Sequence, residues 1–195
     1  MSMRRVDILE PRSEVSEVRR RILDVALELI AQRGFAATST REIAERLGFS
    51  KAALYYHFRT KDDLLAALLA PAIASLARLL ESRAEPEASQ RYRLLAGYVN
   101  LVAHHEDLIR VLALDPSTYH NSAVLEARRL CDLLVDELCA PSSSGSGDLA
   151  LRTRARAALG CVHSAVLLAA PGDDRDVVCR AALAAACGAL GIACR

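Results

Sequence analysis

The chain contains only two lysines, Lys51 and Lys61, among twenty-five basic residues, and both fall in the stretch "FSKAALYYHFRTKDDLL", Phe49 to Leu65. Half of the eight aromatic residues, Phe49, Tyr55, Tyr56 and Phe58, lie there too. Ammonium, phenol and the imidazole of His57 are donors suited to phosphate oxygens. Each lysine follows a hydroxyl residue able to cap a helix, Ser50 or Thr60, and so occupies a first helical position, where the macrodipole disfavours a cation by roughly 0.3–1 kcal/mol. A locally unfavourable residue points to an external use. Helix N-termini bind anions, and a lysine added there strengthens the pull on a phosphate. At 100° per residue, Leu54 and Phe58 share one side of this short helix, Ala52, Ala53 and Tyr56 face the other, and Tyr55 and His57 flank them. The inner pair anchors the helix. The two alanines keep the outer face slim enough to enter a DNA major groove, although a tyrosine packed against its neighbours is an ordinary alternative.

These side chains need elements to hold them, and the pattern is helical throughout. Alanine and leucine dominate, and no run alternates apolar and polar residues as a half-buried strand does, so the class is all-α. A basic arm over residues 1–13 precedes a first helix in "SEVRRRILDVALELIAQRGF", with Ile22, Val25, Ala26 and Leu29 on one stripe and Gly34 at its end. Ser39 and Glu42 have capping-box spacing and open a helix that Gly48 stops; Ser50 opens the next. Helix, glycine-bearing turn and helix over about 39–58 make a helix-turn-helix. Thr60 and Asp63 then cap a long helix from Lys61 towards Arg83, interrupted by Pro71. Further helices are expected near 88–105, 106–114, 118–139, 148–169 and 174–193, with a flexible loop "PSSSGSGD" at 141–148.

Charge divides the chain in the same place. Residues 1–61 hold twelve Lys/Arg against eight Asp/Glu, and the remainder thirteen against sixteen. The basic front permits a polyanionic partner. With no run of about 20 apolar residues and no signal-peptide core after the early arginines of "MSMRRVDILEPRSE", neither a membrane partner nor export is expected, and the cytoplasm is the expected location. Six cysteines lie in the C-terminal third without C-x-x-C or zinc-finger spacing, so buried thiols rather than disulfides or a metal site are expected, and no cofactor.

From Arg19 to Leu69 the sequence resembles the N-terminal domain of the TetR/AcrR family of bacterial transcriptional regulators: "RGF", "T-REIAE-LG", "SK--LYYHF" and "K-DLL" follow in that family's order and spacing. The resemblance implies a three-helix DNA-binding domain over residues 14–70, followed by a larger helical ligand-binding and dimerisation domain over 71–195. By resemblance, Thr40 and Arg41 touch phosphates or a groove edge, Lys51, Ala52 and Ala53 meet bases, and Tyr55, His57 and Lys61 contact the DNA backbone; the outward face of the helix adds Tyr56. The family often has threonine or serine where Ala53 stands, so this chain lacks a hydroxyl there and is left with apolar contact, such as with a thymine methyl. The partners implied are a pseudo-palindromic double-stranded operator, a small-molecule effector and a second copy of the chain joined through the last two long helices.

Beyond residue 70 the ligand-pocket candidates are polar or aromatic residues set in apolar helices: Tyr98, Asn100, His104, His105, Arg110, Tyr119, His120 and His163. The adjacent His104 and His105 do not share a helix face, which argues against a metal pair. No nucleophile elbow, phosphate loop or paired carboxylates accompany the histidines, so catalysis is not expected. The function expected is a ligand-released repressor. An activator, an architectural DNA binder without inducer, or an enzyme using a C-terminal histidine are the alternatives.

Overall fold

The computed structural model describes residues 11–82, 87–139, 149–170 and 172–194. Among these residues every regular element is helical: α1 Pro11–Arg33, α2 Thr40–Leu47, α3 Lys51–His57, α4 Lys61–Glu81, α5 Glu87–His104, α6 Glu106–Leu114, a 3-10 turn at Pro116–Thr118, α7 Ser122–Cys139, α8 Leu149–Leu167 and α9 Arg175–Leu190. The described residues are all-α, as expected. Three boundaries differ from the sequence reading. Helix α1 starts at Pro11, inside the expected arm, because proline is pre-shaped for a first helical position and has no N–H to leave unpaired. The helix expected over 118–139 is split, since Asp115 accepts from the Ser117 N–H and Asn121 from the Ala123 N–H, making a turn before α7. Helix α4 runs without a break through Pro71, whose exposed position leaves the buried Leu69 and Ala72 beside it to hold the helix together. Most of the expected arm and the 141–148 loop lie outside the described residues.

The caps explain why the front of the chain breaks into short helices. Ser39 accepts from the Glu42 N–H, while the Glu42 carboxylate pairs with Arg33, so only half of the expected box forms. Gly48 closes α2 at φ 69°, a left-handed conformation that glycine adopts without strain. Ser50 accepts from the Ala53 N–H at 3.1 Å to open α3. Thr60 and Asp63 form the full reciprocal box that opens α4.

Two cores follow. In the front one, Ile22, Ala26, Leu29 and Ile30 of α1, Ile43 and Ala44 of α2, Leu54 and Phe58 of α3, and Leu64, Leu65 and Leu69 of α4 are all buried. Leu108, Val111 and Val124 of α6 and α7 belong to the same core, so apolar packing continues past residue 70. The rear core packs α5, α7, α8 and α9 around Leu94, Leu134, Ala158, Val162 and Ala186. Helix α4 reaches both through Leu69 at one end and Leu76 at the other. It is apolar and long enough, at 21 residues, to cross a membrane, which the sequence reading did not identify. Its stripe Leu64, Leu65, Leu69, Ala72 and Leu76 is instead buried against neighbouring helices.

Candidate nucleic-acid interface and cavity

Helix α3 is held from beneath. Leu54 is 0% and Phe58 1% exposed, and the Phe58 ring lies 4.1 Å under the Arg19 guanidinium of α1. Arg19 also donates to the His57 carbonyl at 2.9 Å, placing a cation at the C-terminal end of α3, where the macrodipole favours it. Sequence reasoning missed this residue; its signal was a run of three consecutive arginines on the first helix, Arg19 to Arg21. With the underside fixed, Ala52, Ala53 and Tyr56 project outward, and Tyr56 is 80% exposed. Its ring meets His57 edge-on, with centroids 5.2 Å apart. Tyr55 lies at the flank, with the Lys51 ammonium 5.4 Å from its ring centroid. At the start of α2, Thr40 is half-buried and Arg41 is exposed, bonded to Glu45 at 2.7 Å.

Lys61 is turned inward. Its Nζ lies 4.2 Å from the Phe35 ring centroid and donates to the Ala36 carbonyl at 3.2 Å. Desolvation lowers its pKa, opposed by the Asp115 and Asp62 carboxylates. In this conformation it joins the α1–α2 turn to α4. Asp115 supports the same turn: it accepts from the Ala36 N–H at 3.0 Å and lies close to Gly34, where any side chain would crowd it. Burial pushes the Asp115 carboxyl up, but donors from Ser117, Ala36 and Phe35 outweigh it and hold the group below the usual range.

A second feature lies behind this surface. A cavity of about 260 Å³ opens between two apolar stripes at helical spacing, Leu69–Ala72–Ile73–Leu76 on α4 and Val124–Ala127–Arg128–Cys131 on α7. Tyr98 of α5 and His163 of α8 enter it bonded to each other, Oη to Nε2, at 2.7 Å, with the Cys131 Sγ 4.0 Å from the phenol. Tyr119 also lines it, and the Arg128 guanidinium lies 4.2 Å over its ring.

Of the residues singled out by sequence, Tyr98, Tyr119 and His163 therefore come together. The others do not. Asn100, two positions beyond the inward Tyr98, is rotated by about 200° and exposed; with His104 and His105 it lines a different groove, beside Arg78. Burial lowers the His105 pKa, with a smaller contribution from His104. Arg110 lines depressions on the outer side of α6, near Glu106 and Asp107, and His120 is exposed in the turn before α7. Arg128 and Cys131 were missed, although their spacing from Val124 on an amphipathic helix was the available sign.

The segment between α6 and α7 touches both features. Leu112, Ala113 and Tyr119 face the cavity. Asp115 holds Ala36, while Asn121, 7% exposed, donates to the backbone and side-chain oxygens of Asp62 at 3.1 Å each.

An exposed helix with a slim face, seated on a capped helix-turn-helix and followed by an all-helical domain with an apolar cavity, defines a helix-turn-helix DNA-binding protein. Residues 22–68 match the family described as "Bacterial regulatory proteins, tetR family". The chain is 47% identical over 53 residues to the HTH-type transcriptional regulator AcrR of Shigella flexneri, covering 27% of this chain and 25% of that protein. It is 29% identical over 100 residues to the HTH-type transcriptional repressor KstR2 of Mycobacterium tuberculosis, covering 49% of this chain and 50% of that one. The chain thus spans a quarter and a half of these relatives' lengths. The crystal structure of the TetR family regulator PfmR from Thermus thermophilus has the same fold, with a TM-score of 0.68 at 23% identity over 90% of this chain and 100% of that one. Residues 22–68 thus carry a DNA-binding domain of the TetR type, and the described residues share the fold of solved TetR-family regulators.

Proposed function

We propose that the chain is a repressor that binds a pseudo-palindromic operator as a homodimer in the bacterial cytoplasm and is released by a small molecule held in the cavity. One observation carries this reading: α4 begins beside α3 at Lys61 and forms a cavity wall from Leu69 to Leu76, so one rigid element serves both places. The bonds of Asp115 to Ala36 and of Asn121 to Asp62 give the opposite cavity wall a second connection to the DNA-binding unit. A ligand that moves these walls changes the tilt and spacing of the two α3 helices, and by linkage operator DNA weakens ligand binding by the factor that the ligand weakens DNA binding. The test is to titrate DNA from upstream of the chain's own gene in the presence and absence of compounds shown to bind. Unchanged DNA affinity with a saturated cavity would refute release.

The dimer reading is supported by two outward stripes with the same spacing, Ala157–Cys161–Ser164 on α8 continued by Leu168 just past its end, and Val177–Ala181–Ala184–Gly188 on α9. Leu168 is 80% and Val177 51% exposed. Small side chains at that spacing allow close approach of a second helix pair.

The base and phosphate roles separate experimentally. Lys51→Ala should lower the salt slope by about 0.9 on operator and random DNA alike, the phosphate share of its role, and weaken the operator further by any base contact it loses, with stability unchanged. Tyr56→Ala should change the ratio of the two affinities. Lys61→Ala should also lower the thermal midpoint, because its ammonium lies over the Phe35 ring and donates to the Ala36 carbonyl. Salt titrations on both DNAs check this; an unchanged slope for Lys51→Ala would remove that residue from the phosphate contacts.

A further inference from the structure

The cavity's two ends differ in chemistry. At one, Tyr98 and His163 are each other's hydrogen-bond partners at 2.7 Å. A neutral imidazole either accepts from the phenol, which leaves the tyrosine oxygen to accept from a ligand or from the weak Cys131 thiol donor, or donates to it, which leaves the tyrosine hydrogen to be given to a ligand or to the weak acceptor Cys131 Sγ at 4.0 Å. A hydroxyl meets both arrangements, since it donates and accepts. At the other end is Arg128, the single arginine, lysine or carboxylate among the described residues lining the cavity. Helical side chains lean towards their own N-terminus, and Arg128 accordingly reaches back to the Tyr119 ring, away from Cys131. Between the ends the lining is aliphatic, and the stripes on α4 and α7, each about two helical turns long, give it a length of about 10 Å.

We propose that this cavity takes a medium-chain ω-hydroxy carboxylic acid or a molecule of that design: a hydroxyl against Tyr98 and His163, a narrow apolar body about eight carbons long, and a carboxylate against Arg128. The proposal rests on the reading of the cavity as the effector site. Desolvation holds all three groups at the inner end neutral, lowering the His163 pKa and raising those of Tyr98 and Cys131. A charge placed there loses its water without gaining a counter-charge, so the carboxylate belongs at Arg128. A raised thiol pKa also makes Cys131 a poor nucleophile, which disfavours capture of an electrophile.

The experiment is calorimetric titration of the full chain, without DNA, using 8-hydroxyoctanoate, octanoate, 1,8-octanediol and octylamine. The hydroxy acid should bind tightest, with octanoate about 3- to 10-fold weaker for want of one hydrogen bond, the diol about 10-fold weaker, and the amine weakest. Tyr98→Phe keeps the ring in the core and should erase the advantage of the hydroxy acid over octanoate. Arg128→Gln should weaken both acids and leave the diol unchanged. Circular dichroism confirms that each variant is folded. Binding of octylamine as tight as that of octanoate, an unchanged hydroxyl advantage in Tyr98→Phe, or no binding by any probe would overturn the proposal. A probe that binds in the expected order yet leaves operator affinity unchanged would count against ligand release and not against this ligand class.

Discussion

Phe58→Ala is expected to destabilise the DNA-binding unit by about 3–5 kcal/mol, the usual cost of emptying a buried phenylalanine site, and to remove operator binding with it. Phe58 is 1% exposed, its N–H closes the last turn of α3 on the Leu54 carbonyl at 2.9 Å, and its ring supports Arg19. Leu54 lies one turn back on the same face, so the cavity undercuts the whole seven-residue helix, too short to persist without tertiary packing. Thermal denaturation followed by circular dichroism should show a lowered midpoint, and operator titration should show lost affinity at temperatures where the wild type is folded. The control is Tyr56→Ala, 80% exposed, which should stay within about 0.5 kcal/mol of the wild-type stability while still changing sequence preference. A wild-type midpoint for Phe58→Ala would mean that α3 is not seated as described.

The second large effect concerns assembly. Ala181→Glu should turn the proposed dimer into a monomer and lower operator affinity by about 10²- to 10⁴-fold, because two linked half-site contacts become two separate ones. Glutamate is a good helix former and position 181 faces outward, so the monomer fold is expected to survive. At a two-fold interface the substitution places a carboxylate in both copies of an apolar contact, where each loses its hydration without a partner. Sedimentation velocity gives the oligomeric state, and titration with operator held well below its dissociation constant gives the affinity. A dimeric Ala181→Glu protein with wild-type operator binding would place the interface elsewhere.

What could be read from sequence tracks how local the physics is. The caps at Ser50 and Thr60, the glycine stop at Gly48 and the inward pair Leu54 and Phe58 depend on neighbours within four residues, and all were legible. Glu42 shows the limit: its spacing from Ser39 fits a capping box, but Arg33, across the α1–α2 turn, takes the carboxylate. Lys61 is similar, since the ring of Phe35 and the carbonyl of Ala36 that hold it are 25 or more residues away. The rear half offered less. Polar residues in apolar helices were the only sign of a pocket, and residue type alone could not separate Tyr98 and His163, whose positions turn inward, from Asn100, His104 and His105, which turn to another groove. Applying helical spacing to α7 would have brought in Arg128 and Cys131.

The central claim is that α3 reads DNA as one of a symmetric pair, and footprinting on DNA upstream of the chain's own gene tests it most directly. Protection should fall on a pseudo-palindrome whose half-sites are separated by about one helical turn, roughly 34–36 Å, or a multiple of it, and Tyr56→Ala should weaken both halves together. Full-affinity protection of a single asymmetric half-site would contradict the account.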